Sequence, residues 1–338
     1  MIERRRSVAR QGSVARRRDT APRPQPPREV LLTVQPDPRM TLIKLRKLGE
    51  GAQGTAHLVQ DKRTGAQYVA KKTKNMIETF RGLPYEAYIL AHLLPPHPHI
   101  VRLINYDYEP GGQRRRGWMN EEFDALYDLC SGGNLSSIVY DHHKGGWVPE
   151  SFVWHVFGQL ADALTLLHEG RDCHSRSDPG GMYRGAKPVV HRDIKPDNIF
   201  LATEYKKGMK PGEYPDVVLG DFGLATTELY PACGGTINYL PPERQSSRAA
   251  DVWSLGSVIH FLVFGSPPSM MPYSKKVTDH WEGNPRTRRM MYLPRFYSEK
   301  LDDVLMECLQ YNPRMRIDSF SLFKRIMRDA PLSIGTRR

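Results

Sequence analysis

Long apolar runs are missing from this sequence. No stretch of about eighteen residues is apolar enough to cross a bilayer, so a membrane-spanning helix is not expected. The opening Met1-Ile2-Glu3-Arg4-Arg5-Arg6 is followed by no apolar segment, so no secretory signal is expected either. Cysteine is scarce: Cys130, Cys173, Cys233 and Cys308 are too few and too scattered for a disulfide framework, and they lack the spacing of metal ligands. A reducing compartment, cytoplasm or nucleus, fits that usage. Lysine is absent from residues 1–40, which hold ten arginines against four acids, a net +6 of the chain's +12.

That N-terminal stretch is also rich in proline and poor in apolar residues. It cannot bury enough surface to offset its ordering entropy, so residues 1–39 are expected to form a disordered basic tail. Its arginine clusters suit an acidic partner or a nuclear import receptor, and the acid-poor composition also suits a mitochondrial transit peptide. A nucleic-acid role is not expected, because the arginines lack interleaved aromatics and no reader motif is present.

With 338 residues, 39% hydrophobic and 25% charged, the chain as a whole has the composition of a soluble globular protein and room for two lobes. Thr41–Leu48 reads as a strand. His57–Gln60 and Gln67–Lys72 flank the turn Asp61–Gly65 and read as a hairpin. Tyr85–Leu94 is a short helical pattern stopped by Pro95-Pro96, and Asp124–Leu129 is strand-like and ends at Ser131-Gly132-Gly133. Beyond this hinge the chain turns helical. Ser151–His168 has apolar residues at helical spacing, Trp253–Phe264 is apolar all round and suits a buried helix, and Leu301–Leu309 and Phe320–Met327 are the last helices. Glu169–Pro188 and Thr203–Pro215 read as surface insertions, and residues 331–338 as a short tail. The expectation is an α+β fold with a strand-rich lobe over residues 40–131 and a helical lobe over 132–330.

Gly49-Glu50-Gly51-Ala52-Gln53-Gly54 matches G-x-G-x-x-G, a weak signal alone. The glycines join two strands instead of opening a helix, which excludes a dinucleotide fold. A glycine-rich hairpin lets backbone N–H groups approach phosphates closely, and puts Gly49, Glu50, Gly51 and Gly54 over a nucleotide. Val69-Ala70-Lys71-Lys72 follows on the next strand, where two lysines compete for one role. Side chains alternate along a strand, so Ala70 and Lys72 share a face. If a small residue above the base and a phosphate-binding lysine occupy that face, the lysine is Lys72, with Glu86 on the following helix as its carboxylate partner.

The strongest signal is His191-Arg192-Asp193-Ile194-Lys195-Pro196-Asp197-Asn198, followed by Asp221-Phe222-Gly223. Phosphoryl transfer needs a carboxylate to orient the attacking hydroxyl, a cation on the moving phosphoryl and oxygen ligands for magnesium. These segments resemble the catalytic loop H-R-D-x-K-x-x-N and the D-F-G of eukaryotic protein kinases. The resemblance covers about residues 41–330 and includes Pro241-Pro242-Glu243 in place of A-P-E, Asp251-Val252-Trp253-Ser254-Leu255-Gly256, and Arg316 as the partner of Glu243. It implies a bilobal fold that uses ATP and Mg2+. Asp193 would be the orienting base, Lys195 the cation on the phosphoryl group, and Asn198 and Asp221 the metal ligands. Asp251 would brace the catalytic loop.

The same resemblance places Tyr127 at the gatekeeper position and Asp128, Leu129 and Cys130 at the hinge that binds adenine. Ala56 and Ala70 would lie above the base and Phe200 below it. Asn134 reads either as a ribose contact or as a helix N-cap. Lys195 and the Gly235-Thr236 pair resemble the serine/threonine class, which implies protein substrates bearing Ser or Thr. The long segment before His191 and the run Asn198-Ile199-Phe200-Leu201 resemble the NIMA-related group. The alternative is a pseudokinase scaffold that transfers no phosphate. Pro241 in place of alanine, the short activation segment and the short stretch between Lys72 and Glu86 depart from the usual pattern.

Overall fold

The computed structural model describes residues 28–29, 39–51, 54–74, 79–80, 83–106, 123–143, 147–174, 178, 180–227, 234–268 and 293–331. Strands β1 (Leu42–Glu50), β2 (Gly54–Asp61), β3 (Gln67–Thr73), β4 (Leu103–Tyr106) and β5 (Ala125–Asp128) form one antiparallel sheet in the order β1-β2-β3-β5-β4. The turn after β2 is fixed by Asp61, whose carboxylate accepts the Thr64 hydroxyl at 2.8 Å and the Arg63 amide at 3.3 Å. The sheet carries apolar residues on both faces. Val59, Ala70, Phe123 and Leu126 form a small outer cluster, while Ala125 and Tyr127 face the main core.

The helical pattern after β3 is realised in two geometries. Tyr85–Tyr88 is α-helical (α1) and Ile89–Leu93 continues as a π-helical turn. Pro84 stands at its N-cap, where a missing N–H does no harm, and Pro95-Pro96 follow its end.

The helical lobe is built on α2 (Leu135–His143), α3 (Glu150–Glu169), α4 (Arg248–Phe264), α5 (Glu299–Cys308) and α6 (Ser319–Asp329). Ser247, Ser298 and Asp318 cap α4, α5 and α6 with side-chain oxygens that accept backbone N–H groups. Gly170 and Gly265 end α3 and α4 in the left-handed conformation. From Ala250 to His260, α4 is buried without interruption, as its all-round apolar character requires. A two-stranded ribbon, β6 (Ile199–Leu201) and β7 (Val217–Leu219), carries the loops that hold Asn198 and Asp221. No helix among the described residues is long and apolar enough to cross a membrane.

Two segments differ from expectation, and a third, Thr203–Pro215, gains an aromatic anchor. Glu169–Pro188 is more than a surface insertion: Arg171–Asp172 pairs antiparallel with Gly181–Met182, and the Arg171 guanidinium stacks over Phe320 of α6 at 4.5 Å. Thr203–Pro215 places Tyr205 and Tyr214 against Phe152 of α3. Apart from these anchors Thr203–Pro215 is largely exposed, as a surface insertion would be. Within the expected tail, Arg28–Glu29 pairs parallel with Tyr183–Arg184. The rest of that tail, apart from Arg39, lies outside the described residues, as do Cys233 and residues 332–338.

Candidate active site

The catalytic-loop segment enters the site from β-bridge residue Val190, which pairs with Thr226. Asp251, buried at the start of α4, accepts the backbone N–H groups of His191 at 2.7 Å and Arg192 at 2.9 Å. The third partner of Asp251 is His168 Nε2, at 3.1 Å. These contacts hold Arg192 at φ 72°, a conformation that non-glycine residues rarely adopt. The loop is thereby turned so that Asp193, almost fully buried, faces a group of polar side chains.

Asp193 Oδ1 accepts the backbone N–H of Thr236 at 2.9 Å and its hydroxyl at 2.8 Å. Lys195 Nζ reaches Asp193 Oδ2 at 2.9 Å and the Thr236 hydroxyl at 2.8 Å. Asn198 Nδ2 donates to the Asp193 backbone carbonyl at 2.9 Å and to Oδ2 at 3.1 Å. Thr236 is brought here by Gly235 at φ 111°. A Cβ on Gly235 would stand 2.2 Å from the Arg192 carbonyl, so only glycine permits this approach.

Asp221 follows β7 and adopts φ 56°, a second left-handed non-glycine residue at the site. His191 Nε2 contacts the Gly220 carbonyl at 3.1 Å and its ring meets Phe222 edge-on, with centroids 4.8 Å apart. Phe222 is fully buried, which turns the Asp221 carboxylate toward the sheet. There Lys71 Nζ lies 2.7 Å from Asp221 Oδ1 and 2.7 Å from Glu86 Oε2. Burial alone would pull the Lys71 ammonium's pKa down, but the Glu86 and Asp221 carboxylates outweigh it and hold the pKa above its ordinary value. Burial pushes Asp221 upward, and Lys71 more than reverses this, leaving the carboxylate below its usual range. On β5, burial together with the neighbouring Glu86 and Asp221 carboxylates pushes the Tyr127 phenol well up.

A buried lysine shared by a helix carboxylate and the aspartate of D-F-G, beside an aspartate–lysine–asparagine cluster, is the arrangement that the sequence motifs imply. The family model described as "Protein kinase domain" matches residues 42–327. This chain belongs to the protein kinase family. It is 27% identical over 307 residues to "G2-specific protein kinase nimA" of Emericella nidulans, covering 82% of this chain and 40% of that protein. It is 30% identical over 278 residues to "Serine/threonine-protein kinase Nek2" of Mus musculus, covering 78% and 55%. Identity to "Serine/threonine-protein kinase ULK3" of Mus musculus is 28% over 297 residues, covering 83% and 53%. The kinase chain thus spans roughly half or less of the length of these relatives.

Two sequence expectations are corrected by the geometry of this kinase. Lys71, not Lys72, meets Glu86. Lys72 points to the opposite face of β3, where its ammonium lies 3.5 Å from Asp124 and its side chain is 37% exposed. Ala70 shares that opposite face, packed with Val59, Phe123 and Leu126, so it does not lie above a bound base. The inner face is Val69 and Lys71, paired with Tyr127 and Ala125 of β5, with Ala56 opposite Lys71 on β2. The alternation rule held, but the small residue and the lysine were not on one face: Val69 occupies the position assigned to Ala70.

The other residues expected at a nucleotide lie on the sheet, the hinge and the ribbon. Glu50 is exposed and paired with Lys47 and Lys74, which lower its pKa to about 2. Gly49 and Gly51 have open space where a side chain would stand, whereas a Cβ on Gly54 would meet the Lys72 carbonyl at 2.2 Å. Asp128 closes β5 and pairs with Arg102 at 2.6 Å. Cys130 is half-buried, with burial pushing its thiol up to about 11. Phe200, half-buried on β6, lies so close to Gly220 that a Cβ there would meet its ring at 2.8 Å. Asn134 takes the cap role: its Oδ1 accepts the Ser137 N–H at 3.2 Å, and its Nδ2 is not needed for that bond.

Proposed function

We propose that this kinase transfers the γ-phosphoryl group of ATP to serine or threonine hydroxyls of protein substrates. The observation that carries this reading is the double hold on Asp193, whose carboxylate is bonded by both Thr236 and Lys195. A carboxylate fixed in this way can orient an incoming hydroxyl and receive its proton while Lys195 offsets charge on the moving phosphoryl. Thr236 forms the adjoining wall, which suits an aliphatic hydroxyl on an extended substrate.

Lys71 is the cation for the nontransferred phosphates, kept charged and aimed by Glu86. Ala56 and Val69 lie above the base, Phe200 below it, and Asp128, Leu129 and Cys130 form its edge contact. Asn198 uses its amide nitrogen on Asp193, which leaves its side-chain carbonyl oxygen as a donor for Mg2+, and Asp221 supplies carboxylate oxygen. When bound, Mg2+ neutralises phosphate oxygen charge. The oxygen-only donor pair fits such an ion.

The test is phosphate transfer from labelled ATP to a degenerate Ser/Thr/Tyr peptide library, with magnesium and purified chain. Incorporation into Ser and Thr peptides, lost in Asp193→Asn, supports the proposal. Nucleotide binding without any transfer would favour a scaffold role instead.

A further inference from the structure

Away from the nucleotide site, three histidines from two distant segments surround one buried carboxylate. His97 and His99 lie in the loop between the π turn and β4, Asp162 in the middle of α3, and His174 just beyond the end of α3. The three imidazole rings form a near-equilateral triangle, with centroid separations of 5.3, 5.6 and 5.7 Å. All three turn Nε2 toward Asp162 Oδ2: His174 in hydrogen-bond contact, His97 at 3.4 Å and His99 at 4.0 Å. Ligand atoms of His97, Asp162 and His174 lie within 4.8 Å of one another.

The hydrogen bonding around this group is incomplete. His97 Nε2 and Asp162 Oδ1 are buried and make no hydrogen bond, although both side chains are only 3% exposed. Buried polar atoms of this kind are rare unless another species completes them. His99 adds a stronger constraint. Its Nδ1 contacts the Val217 carbonyl at 3.1 Å and must donate to it, so in the neutral ring Nε2 carries a lone pair. That lone pair faces a carboxylate, an arrangement that is repulsive until a cation stands between them. A ring nitrogen pinned by a backbone carbonyl, with its opposite nitrogen aimed inward, is the usual posture of a metal-binding histidine.

We propose that His97, His99, His174 and Asp162 form a site for a zinc-type divalent metal ion. Three imidazoles and one carboxylate make a four-donor set suited to tetrahedral Zn2+, whereas Mg2+ and Ca2+ favour oxygen. Tetrahedral donors around zinc stand about 3.3 Å apart. The His97–Asp162 separation already matches this, while His99, 4.0 Å from Asp162 Oδ2, must move in toward all three other donors. His97 must also shift its ring proton to Nδ1, giving up the contact at 3.2 Å from the His99 backbone N–H. The Cys173 thiol lies beside Asp162, whose negative charge adds to burial in pushing the thiol's pKa up. A metal here would staple the insertion after α3 to the loop that supports β4, joining the two lobes at a point that shares no residue with the nucleotide site.

The experiment uses the full chain, stripped with chelator and titrated with Zn2+, then with Co2+ as a spectroscopic probe. The proposal expects one tight equivalent of zinc, the intense visible absorption of tetrahedral cobalt, and a zinc-dependent rise in melting temperature that chelator reverses. His174 is 42% exposed, so His174→Ala should keep the apo circular dichroism spectrum while weakening zinc binding by more than about a hundredfold, since loss of even an outer partner costs about 10–100-fold. His97→Ala and His99→Ala should weaken it likewise. Failure of the wild-type chain to bind stoichiometric zinc would overturn the proposal. So would full zinc affinity in His174→Ala, which would place the ion elsewhere.

Discussion

Lys71 Nζ sits 2.7 Å from Glu86 Oε2, while the neighbouring Lys72 faces away toward Asp124. Two adjacent lysines on one strand therefore have opposite environments, one largely buried between carboxylates and the other partly solvated. Replacing Lys71 with Met should lower kcat/KM for peptide phosphorylation by about 10²–10³, the usual effect of losing one preorganised electrostatic group. Lys72→Met should stay within about threefold of wild type, because its ammonium lies on the face of β3 away from Glu86 and Asp221. Steady-state kinetics on the two variants decides the matter: equal losses would return the role to both lysines.

That distinction was half legible in the sequence. Alternation showed that the lysines point to opposite faces, but it did not say which face holds the site. The choice rested on pairing a small residue with the lysine, and Val69 fills that place instead. HRDIKPDN and D-F-G were readable because their chemistry requires several polar types in contiguous runs. The histidine cluster was not readable, because its members come together only after α3 packs on the loop before β4. His97-Pro98-His99 alone does not reveal Asp162 as a partner. The aromatic anchoring of Thr203–Pro215 was hidden for the same reason, since Tyr205 and Tyr214 acquire meaning only beside Phe152.

Thr236 is bonded to both Asp193 and Lys195, so its hydroxyl holds two charged groups in register. Thr236→Val keeps the shape and removes both bonds, each worth about 0.5–1.5 kcal/mol. Turnover should fall by roughly tenfold or more, and Thr236→Ser should restore most of it. Single-turnover phosphorylation rates for the pair test this. Equal rates for Val and Ser would show that the hydroxyl is not needed.

Glu243 and Arg316 form a two-pronged pair, with Arg316 NH1 to Oε1 at 2.9 Å and NH2 to Oε2 at 3.1 Å. The guanidinium also donates to the Gln310 and Ala249 carbonyls and lies over Trp253. Its side chain is fully buried, so Arg316→Ala leaves Glu243 unpaired and strips two backbone acceptors. The loss should be about 3–5 kcal/mol of stability. Arg316→Lys should not rescue it, because a single ammonium cannot reproduce the fork. Denaturant melts of Arg316→Ala and Asp193→Asn should separate clearly, with the former much less stable.

His260 is buried in α4, with Nδ1 against the Ser266 carbonyl at 2.7 Å, and burial lowers its pKa to about 4. The unfolded chain takes up this proton near pH 6.5. Between about pH 6.5 and 4 the unfolded state therefore binds more protons than the folded state. Stability from this group is complete above about 6.5 and is lost as pH falls toward 4, by an amount on the order of 3 kcal/mol. His260→Gln should flatten the pH dependence of the urea midpoint in that window, if the variant's own stability at pH 7.5 is taken as reference. An unchanged slope would assign the dependence to other groups, of which His99, also held near 4 by burial, is the first to consider.

Among the described residues, a side-chain hydrogen bond ties the activation segment to the helix that carries Glu86, Tyr85 OH to Thr227 Oγ1 at 3.0 Å. Arg192, the arginine that pairs with an activating phosphate in many kinases, is engaged differently here. It donates to the Ser246 hydroxyl at 3.1 Å and to the Leu224 carbonyl at 3.2 Å, and its guanidinium lies against the Gly234 backbone. The sequence position usually phosphorylated is Ala232, which has no hydroxyl and, like Tyr230, lies outside the described residues. Helix and segment are thus joined by neutral groups, with Lys71, Glu86 and Asp221 already in contact. The unphosphorylated chain should be active: phosphatase-treated protein, verified by mass spectrometry between Asp221 and Glu243, should keep most of its turnover. Phosphate on Thr227 would replace a neutral hydrogen bond with about −1.5 to −2 charges beside the tyrosine and so should lower activity instead of raising it. Tyr85→Phe and Thr227→Val should each reduce kcat by only a few-fold, because one net hydrogen bond is at stake. Thr227→Glu should fall further. A hundredfold drop after phosphatase, recovered by phosphorylating Thr227, would overturn this account of how the segment is held.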